Sequence, residues 1–538
     1  MATAMTAGLL TSCGGNTKCS NQCNPDEPQL IMGDNIAIAN TKYGKIKGYI
    51  LRGTYTFLGV PYGATTAGEG RFMPAREPEP WEGIRPTVFY GPSAPQNMAD
   101  KWGNGTSYYS FSDHWNYYDT SEDCLYLNIW TPELADGGKR PVMVWLHGGG
   151  YSAGNGIEQD GYNGENFSKY GNAVFVSLNH RLNVFGFSDF SAVDPKFKDS
   201  GNVGMLDIVQ ALKWVHENIA NFGGDPDNVT IMGQSGGGGK VCNLVGMPET
   251  KGLISKAVAL SGNSTGAQNQ QATAAFGKFM WEKAGKDMAK LQNMPWEEYY
   301  QFANASLREF QQQNPGMRPS FAPIADGIHI PVGNYFDDAQ APAASIPMIF
   351  CTTTCENSAS RTDASIEDMN REEAIEYLGR TRRMANAADV FDAYNAIFPN
   401  QKPIDVVGLV GAARTNVLLA ANSKSAAKKA PVYVAWFGWQ PPLFDGRMRA
   451  FHCLDICFWF KNTDVMLTHT GGGKRPRDLS TKMADALLSF MRTGVPSAKG
   501  LPEWPAYDSE NGATMYLNDN SQVMMAPDRE ALHLLQAR

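Results

Sequence analysis

Three serines in this 538-residue chain stand in the pattern Gly-x-Ser-x-Gly: Ser152 in GYSAG, Ser235 in GQSGG and Ser264 in GNSTG. The pattern suits nucleophilic chemistry, because glycines let a chain turn sharply from strand to helix and push a serine hydroxyl over the end of a sheet. A hydroxyl attacks an acyl carbon only when an imidazole takes its proton and a carboxylate holds that imidazole in the right tautomer. Backbone N–H groups must also receive the oxyanion that forms. The motif occurs three times, so context has to choose among its serines.

The elements around each serine decide. Ser235 comes three residues after the apolar run VTIM, Val229–Met232, with no spacer between strand end and turn. Gly233 and Gly237 remove Cβ atoms where that turn crowds, and Gly236 places an N–H beside the hydroxyl. Ser152 follows His147-Gly148-Gly149-Gly150 and precedes AGNGIEQDGYNG, which has no helical pattern. That stretch reads as an upstream donor loop. Ser264 is separated from the run AVAL, Ala257–Leu260, by Ser261-Gly262-Asn263. Four glycines opening a helix cost about 1 kcal/mol each against alanine, so the run Gly236–Gly239 signals backbone crowding.

The elements themselves alternate. PVMVWL (Pro141–Leu146), AVFVSL (Ala173–Leu178), VTIM, AVAL, PMIF (Pro347–Phe350) and PVYVAW (Pro431–Trp436) read as buried parallel strands. Between them, Gly204–Asn221 spaces Leu206, Val209, Leu212, Val215 and Ile219 as one buried helical stripe. The expectation is an α/β sheet with helices on both faces, preceded by hairpin-like strands in Ile36–Gly63. The segment 36–538 reads as one domain, without internal repeat or linker. Residues 1–35 are set apart from it. Leu10-Thr11-Ser12-Cys13 resembles a lipoprotein lipobox, although no Lys or Arg precedes it, and a plain disordered tail is the alternative.

Composition narrows the partners. A formal charge of −8 with scattered Lys and Arg disfavours nucleic acid, and no apolar run is long enough to span a membrane. Nine cysteines include three C-x3-C pairs: Cys19/Cys23, Cys351/Cys355 and Cys453/Cys457. Their separation along the chain speaks against a metal module.

Longer stretches carry a resemblance. SEDCLYLNIW (Ser121–Trp130), NIANFGGDPDNVTIMGQS (Asn218–Ser235), FLGVPYG (Phe57–Gly63), GRF (Gly70–Phe72), NHRLNVFGF (Asn179–Phe187) and WPAY (Trp504–Tyr507) resemble motifs of the type-B carboxylesterases. These are cholinesterase-like and para-nitrobenzyl-esterase-like α/β-hydrolases, and the likeness covers residues 36 to 517. It implies the α/β-hydrolase fold and a triad in the chain order Ser, acid, His. By position the triad would be Ser235, Glu356 in CTTTCENS, and His452 in FHCLDICFWF, with Asp455 where the family usually has Glu. His329, His469 and His533 are the histidines left aside after Ser235. The implied oxyanion hole is Gly149, Gly150 and Gly236, and Ser261 would be a hydrogen-bond partner of the triad carboxylate. Arg71 with Glu122 and Arg181 with Asp207 resemble the family's internal salt bridges.

One departure matters. Ala94 stands where the family has the cysteine that pairs with the counterpart of Cys124. Because Cys355 and Cys453 flank the acid and the base, a disulfide between their two loops is expected, most simply Cys355–Cys453. The resemblance therefore implies a carboxylic ester hydrolase working through an acyl-enzyme, with no cofactor and no metal. Its substrate would be a small aryl or alkyl ester. An amide, carbamate or lactone hydrolase with the same triad is the alternative, and a non-catalytic binding module a more distant one. Seven aromatics between Trp102 and Tyr118 are candidate walls of the substrate site, as are Trp436, Phe437, Trp439 and Phe444. Cys13 is a candidate lipid anchor, with export to a bacterial cell envelope as the matching expectation and a cytoplasmic or secreted protein as the alternatives. The oligomeric state is left open.

Overall fold

The computed structural model describes residues 29–97, 119–337 and 341–536. Cys13, the pair Cys19/Cys23 and the aromatic segment up to Tyr118 lie outside the described residues.

The runs read as buried strands do form strands, because β-branched and aromatic side chains fit a pleat covered on both faces. In chain order the main sheet has β1 (Leu30–Ile31), β2 (Tyr49–Leu51), β3 (Thr54–Pro61), β4 (Tyr126–Thr131), β5 (Arg140–Leu146) and β6 (Val174–Leu178). It continues with β7 (Gly224–Gln234), β8 (Lys256–Leu260), β9 (Met348–Thr353), β10 (Val432–Phe437), β11 (Ala513–Leu517) and β12 (Gln522–Met525). The spatial order is β1-β2-β3-β4-β6-β5-β7-β8-β9-β10-β11-β12. The run from β6 to β11 is parallel, and antiparallel strands complete both ends. This is the α/β-hydrolase fold, a large and mostly parallel sheet with helices on both faces.

Alternation along the strands divides the core. Val142, Val144 and Leu146 of β5 join one apolar cluster, while Met143 and Trp145 join the other. The helix Val203–Asn218 packs on the first face through Met205, Ile208 and Leu212. The helix Lys474–Thr493 packs on the second through Leu479, Met483 and Leu487.

Four expectations change. The helix at 203–218 buries most of its circumference, with Asp207, Ile208, Ala211 and Trp214 as inaccessible as the foreseen stripe. A stripe marks a helix on a surface, whereas this one is wedged between sheet and outer layer. The boundary at residue 35 also moves, since Leu30 and Ile31 pair antiparallel with Leu51 and Ile50 at the sheet edge. The hairpin region of Ile36–Gly63 divides in two. Ile38–Thr41 and Gly44–Lys47 form a separate three-stranded sheet with Ile84–Pro86, while β2 and β3 extend the main sheet.

The fourth change concerns the cysteines. Cys124, Cys242, Cys351, Cys355, Cys453 and Cys457 are all free. The expected Cys355–Cys453 bridge is absent because the two thiols point apart. Cys453 Sγ donates to Gln234 Oε1 at 3.3 Å, while a Cβ on Gly408 would meet Cys355 Sγ at 2.6 Å. Proximity in loops is insufficient when the Cβ vectors diverge.

Candidate active site

β7 ends at Gln234, and the helix Gly236–Gly246 begins one residue later. Ser235 alone makes the turn, at φ 57° and ψ −124°, a conformation costly for a residue with a Cβ. Its N–H donates to Leu260 O of β8 at 2.8 Å, so the strained turn is held by the neighbouring strand. Strain retained in this way is the signature of a nucleophile elbow.

The glycine run now has a steric reason. A Cβ on Gly236 would meet Gly150 O at 2.0 Å, and one on Gly237 would meet Leu146 O at 2.0 Å. Positions 238 and 239 face Leu260 O and the Tyr151 hydroxyl, each at 2.7 Å. The first turn of the helix is thus pressed against three separate backbone segments. The contact of Gly236 with Gly150 leaves no room for a Cβ beside Ser235.

Glu356 and His452 come from loops that follow β9 and β10, and the tertiary fold joins them across 96 residues. His452 Nδ1 is hydrogen-bonded to Glu356 Oε2, and His452 N donates to Glu356 O at 3.1 Å. Ser261 Oγ donates to Glu356 Oε1 at 2.7 Å, Thr353 N does so at 3.0 Å, and Thr352 Oγ1 donates to the same oxygen. Burial works to raise the Glu356 carboxyl, but His452 and these donors outweigh it and hold the group at about 2. Burial likewise opposes an imidazolium at His452, yet its neighbours Cys453 and Glu356 more than offset it and raise the ring above the ordinary 6.5.

With Nδ1–H committed to Glu356, the free acceptor of the ring is Nε2, and Gln234 Nε2 lies 3.2 Å from it. Ser235 Oγ itself makes no hydrogen bond among the described residues. Such contacts often tighten only when substrate binds. Gln234 was not foreseen as part of the site. Adjacency to Ser235 was its one sequence signal, and only the turn shows that its amide reaches both His452 and the Cys453 thiol. Thr352 was missed for the same kind of reason.

On the other side of Ser235, Gly149 and Gly150 take φ 77° and 62° in the loop after β5. The N–H groups of Gly149, Gly150 and Gly236 donate to no backbone carbonyl among the described residues. Gly236 also opens a helix, whose N-terminus favours negative charge. The other two motif serines fall elsewhere. Ser152 N bonds back to Gly149 O inside the donor loop, and Ser264 Oγ donates to Gly266 O.

The remaining candidates have settled places. His329 bridges Glu249 and Asp199 and is raised to about 9, while His469 is buried and lowered to about 3 by that burial. His533 belongs to the terminal helix Arg529–Gln536. Arg71 makes a bidentate pair with Glu122, as Arg181 does with Asp207, and all four side chains are buried or nearly so. Asp455 is fully buried, and burial together with Glu356 raises its carboxyl to about 7. Trp436, Phe437 and Trp439 are core residues, with Phe437 and Trp439 both packed on Phe458, so they do not wall a substrate site. Among the described residues no group of three or more His, Cys, Asp or Glu is arranged to hold a metal. No single described helix is long and apolar enough to cross a membrane.

A strained serine between a parallel strand and a helix, in this sheet order, defines an α/β-hydrolase. Comparison with known proteins agrees. The model of the carboxylesterase family matches residues 35–534. The chain is 32% identical over 508 residues to the para-nitrobenzyl esterase of Bacillus subtilis (strain 168), covering 92% of this chain and 97% of that one. It is 31% identical to phenmedipham hydrolase of Pseudarthrobacter oxydans, covering 93% and 99%. Among solved structures, an esterase from Clostridium hathewayi that can hydrolyse aliphatic aromatic polyesters superposes with a TM-score of 0.83 at 32% identity, covering 95% of this chain and all of that one. The chain belongs to the carboxylesterase family, and it is an enzyme of the serine carboxylesterase class.

Proposed function

We propose that the protein hydrolyses aryl or alkyl carboxylic esters through an acyl-enzyme on Ser235. The observation that carries this reading is the strained Ser235 turn standing beside a hydrogen-bonded Glu356–His452 pair. His452 Nε2 takes the Ser235 proton as Oγ attacks the acyl carbon, and the N–H groups of Gly149, Gly150 and Gly236 receive the oxyanion. Collapse breaks the acyl–oxygen bond, and His452 returns the proton to the departing alkoxide, releasing the alcohol. Water, deprotonated by the same imidazole, then attacks the acyl-enzyme, and the carboxylic acid leaves as Ser235 regains its proton. Glu356 stays ionised throughout and holds the tautomer. No step calls for a cofactor or metal.

Labelling with a fluorophosphonate followed by peptide mass spectrometry tests the assignment, with the adduct expected on Ser235 and Ser235→Ala as the blank. An adduct elsewhere, or none, overturns it. The names of the relatives suggest the first substrates for a kcat/KM panel: para-nitrobenzyl esters, phenmedipham and an aliphatic–aromatic polyester. Higher kcat/KM on an amide than on the matched ester would favour the alternative reading. For the N-terminal segment we keep lipidation at Cys13 and export as the reading, tested by incorporation of an alkyne fatty acid in the wild-type chain and its loss in Cys13→Ser.

A further inference from the structure

Lys240 lies five residues after Ser235 on the helix Gly236–Gly246, and its side chain is wholly buried. A lysine there is expensive. Water solvates an ammonium far better than a protein interior does, and among the described residues no carboxylate is hydrogen-bonded to this one, Glu158 acting on it only through space. Its hydrogen bond goes to a backbone carbonyl instead: Lys240 Nζ donates to His147 O at 2.9 Å. His147 is the first residue of the loop His147–Gly150 that carries two of the three oxyanion donors. One turn further along the same helix face, Asn243 Nδ2 donates to the Tyr151 hydroxyl at 2.9 Å, and Tyr151 is the residue after Gly150. The glycine loop is therefore tied to the nucleophile helix at both ends. At the Tyr151 end the tie is neutral, and at the His147 end it carries a charge.

A neutral donor would close that contact without the desolvation cost. What an ammonium adds is a positive charge in a dry interior, just behind amides that receive a developing negative charge, where electrostatic interactions are poorly screened. We propose that Lys240 is a positioning residue of the oxyanion hole, holding the Gly148–Gly150 loop against the nucleophile helix and lending its charge to the oxyanion through that loop. The inference rests on ester hydrolysis at Ser235 and adds to it a residue that neither the Gly-x-Ser-x-Gly motif nor the triad contains.

The groups facing Lys240 define a pH test. Burial lowers its ammonium to about 7, partly offset by Glu158. His147 and His180, whose rings stack 5.2 Å apart, are pushed well below 6.5 by burial and by Lys240, so they stay neutral. Tyr151, whose ring centroid is 6.0 Å from Nζ, is raised by burial, and Cys242 on the same helix is raised to about 12, so neither ionises near neutrality. Glu158, buried and hydrogen-bonded by Tyr162, is raised to about 7 by burial and titrates in the same range.

The experiment compares kcat/KM of the wild-type enzyme and Lys240→Met from pH 5.5 to 9 on one activated ester. The wild-type/variant ratio is expected to be about tenfold or more at the acid end, mostly in kcat, and to fall toward unity as pH rises through 7 and the ammonium loses its proton. Affinity for a trifluoromethyl ketone, whose hemiketal oxyanion occupies the hole, should fall by the same factor at pH 6. A ratio within twofold throughout overturns the proposal, and so does a loss that is constant with pH, since a purely structural lysine would give that. Should Lys240→Met fail to fold, Glu158→Gln decides. Removing the carboxylate should move the alkaline decline of wild-type ketone affinity to lower pH, and an unmoved decline overturns the proposal. Fluorophosphonate labelling of Ser235 in the same wild-type sample separates failure of this inference from failure of the ester-hydrolase reading.

Discussion

The two halves of the candidate site are built by different means. The nucleophile half is set by backbone: Ser235 is forced into its turn between β7 and a helix whose first residues touch Leu146, Gly150 and Leu260 without side chains between. The acid–base half is set by side chains, with Ser261, Thr352 and Thr353 on one carboxylate oxygen and His452 on the other. Close-packed backbone cannot move without disturbing the sheet, whereas a hydrogen-bond cluster can lose one member and keep its neighbours. Damage to the first half should cost stability and activity together. In the second half it should cost activity with the fold intact.

The strongest test of that contrast is Glu356→Gln. It removes the charge that orients His452, and kcat is expected to fall about 10⁴-fold at neutral pH, as when such an acid is neutralised elsewhere, while the protein still folds, with Tm lowered by loss of the stabilising carboxylate. Its pH profile carries a second signature. His452 is raised above 6.5 in the wild type, so activity should rise with pH through an apparent pKa above that value, and the limb should move down in the variant. Next comes Gly236→Ala, whose Cβ would meet Gly150 O at 2.0 Å. It should lower kcat about 10²–10³-fold, as loss of an oxyanion donor does, and also lower Tm, as overpacking does. An alanine variant with normal Tm would break the contrast.

Ser261→Ala should act more gently. One of three donors to Glu356 Oε1 is lost, so about a tenfold or smaller fall in kcat is expected, with about 1 kcal/mol of stability. The acid limb of the stability curve checks the cause. Glu356 is held at about 2 against an ordinary 4.5, so its contribution to folding is complete above pH 4.5 and disappears as pH falls toward 2. In the variant that loss should be smaller and end at a higher pH, because the folded-state value rises toward 4.5 while the unfolded one stays put. Smallest is Cys453→Ser, which should change kcat by less than about threefold, since a hydroxyl can keep the bond to Gln234 Oε1. Peptide mapping without reduction should find Cys355 and Cys453 as thiols, and a bridge between them would show that a covalent tie stiffens the acid–base half.

Much of the candidate site was legible in the residues, though unevenly. Ser235 could be chosen over Ser152 and Ser264 because the decisive features, strand end, glycine and helix start, are neighbours in the chain. Ser261, Glu356 and His452 needed the long family motifs, since nothing local distinguishes a loop glutamate near position 356 from a solvated one. The expected Cys355–Cys453 bridge misled because flanking the acid and the base says nothing about where Cβ vectors point. Gln234, Thr352 and Lys240 escaped notice because a polar residue beside a motif looks the same whether it faces water or the site.

The sequence by itself determined the alternation of strands and helices and the glycine-framed turn, because short apolar runs and backbone clearance are local properties. Only the tertiary structure decided that a buried ammonium stands behind the donor loop, that four glycines were needed to seat one helix turn, and that paired-looking cysteines stay apart. Those facts depend on distances between segments far apart in the chain, and the packing of the whole sheet sets them.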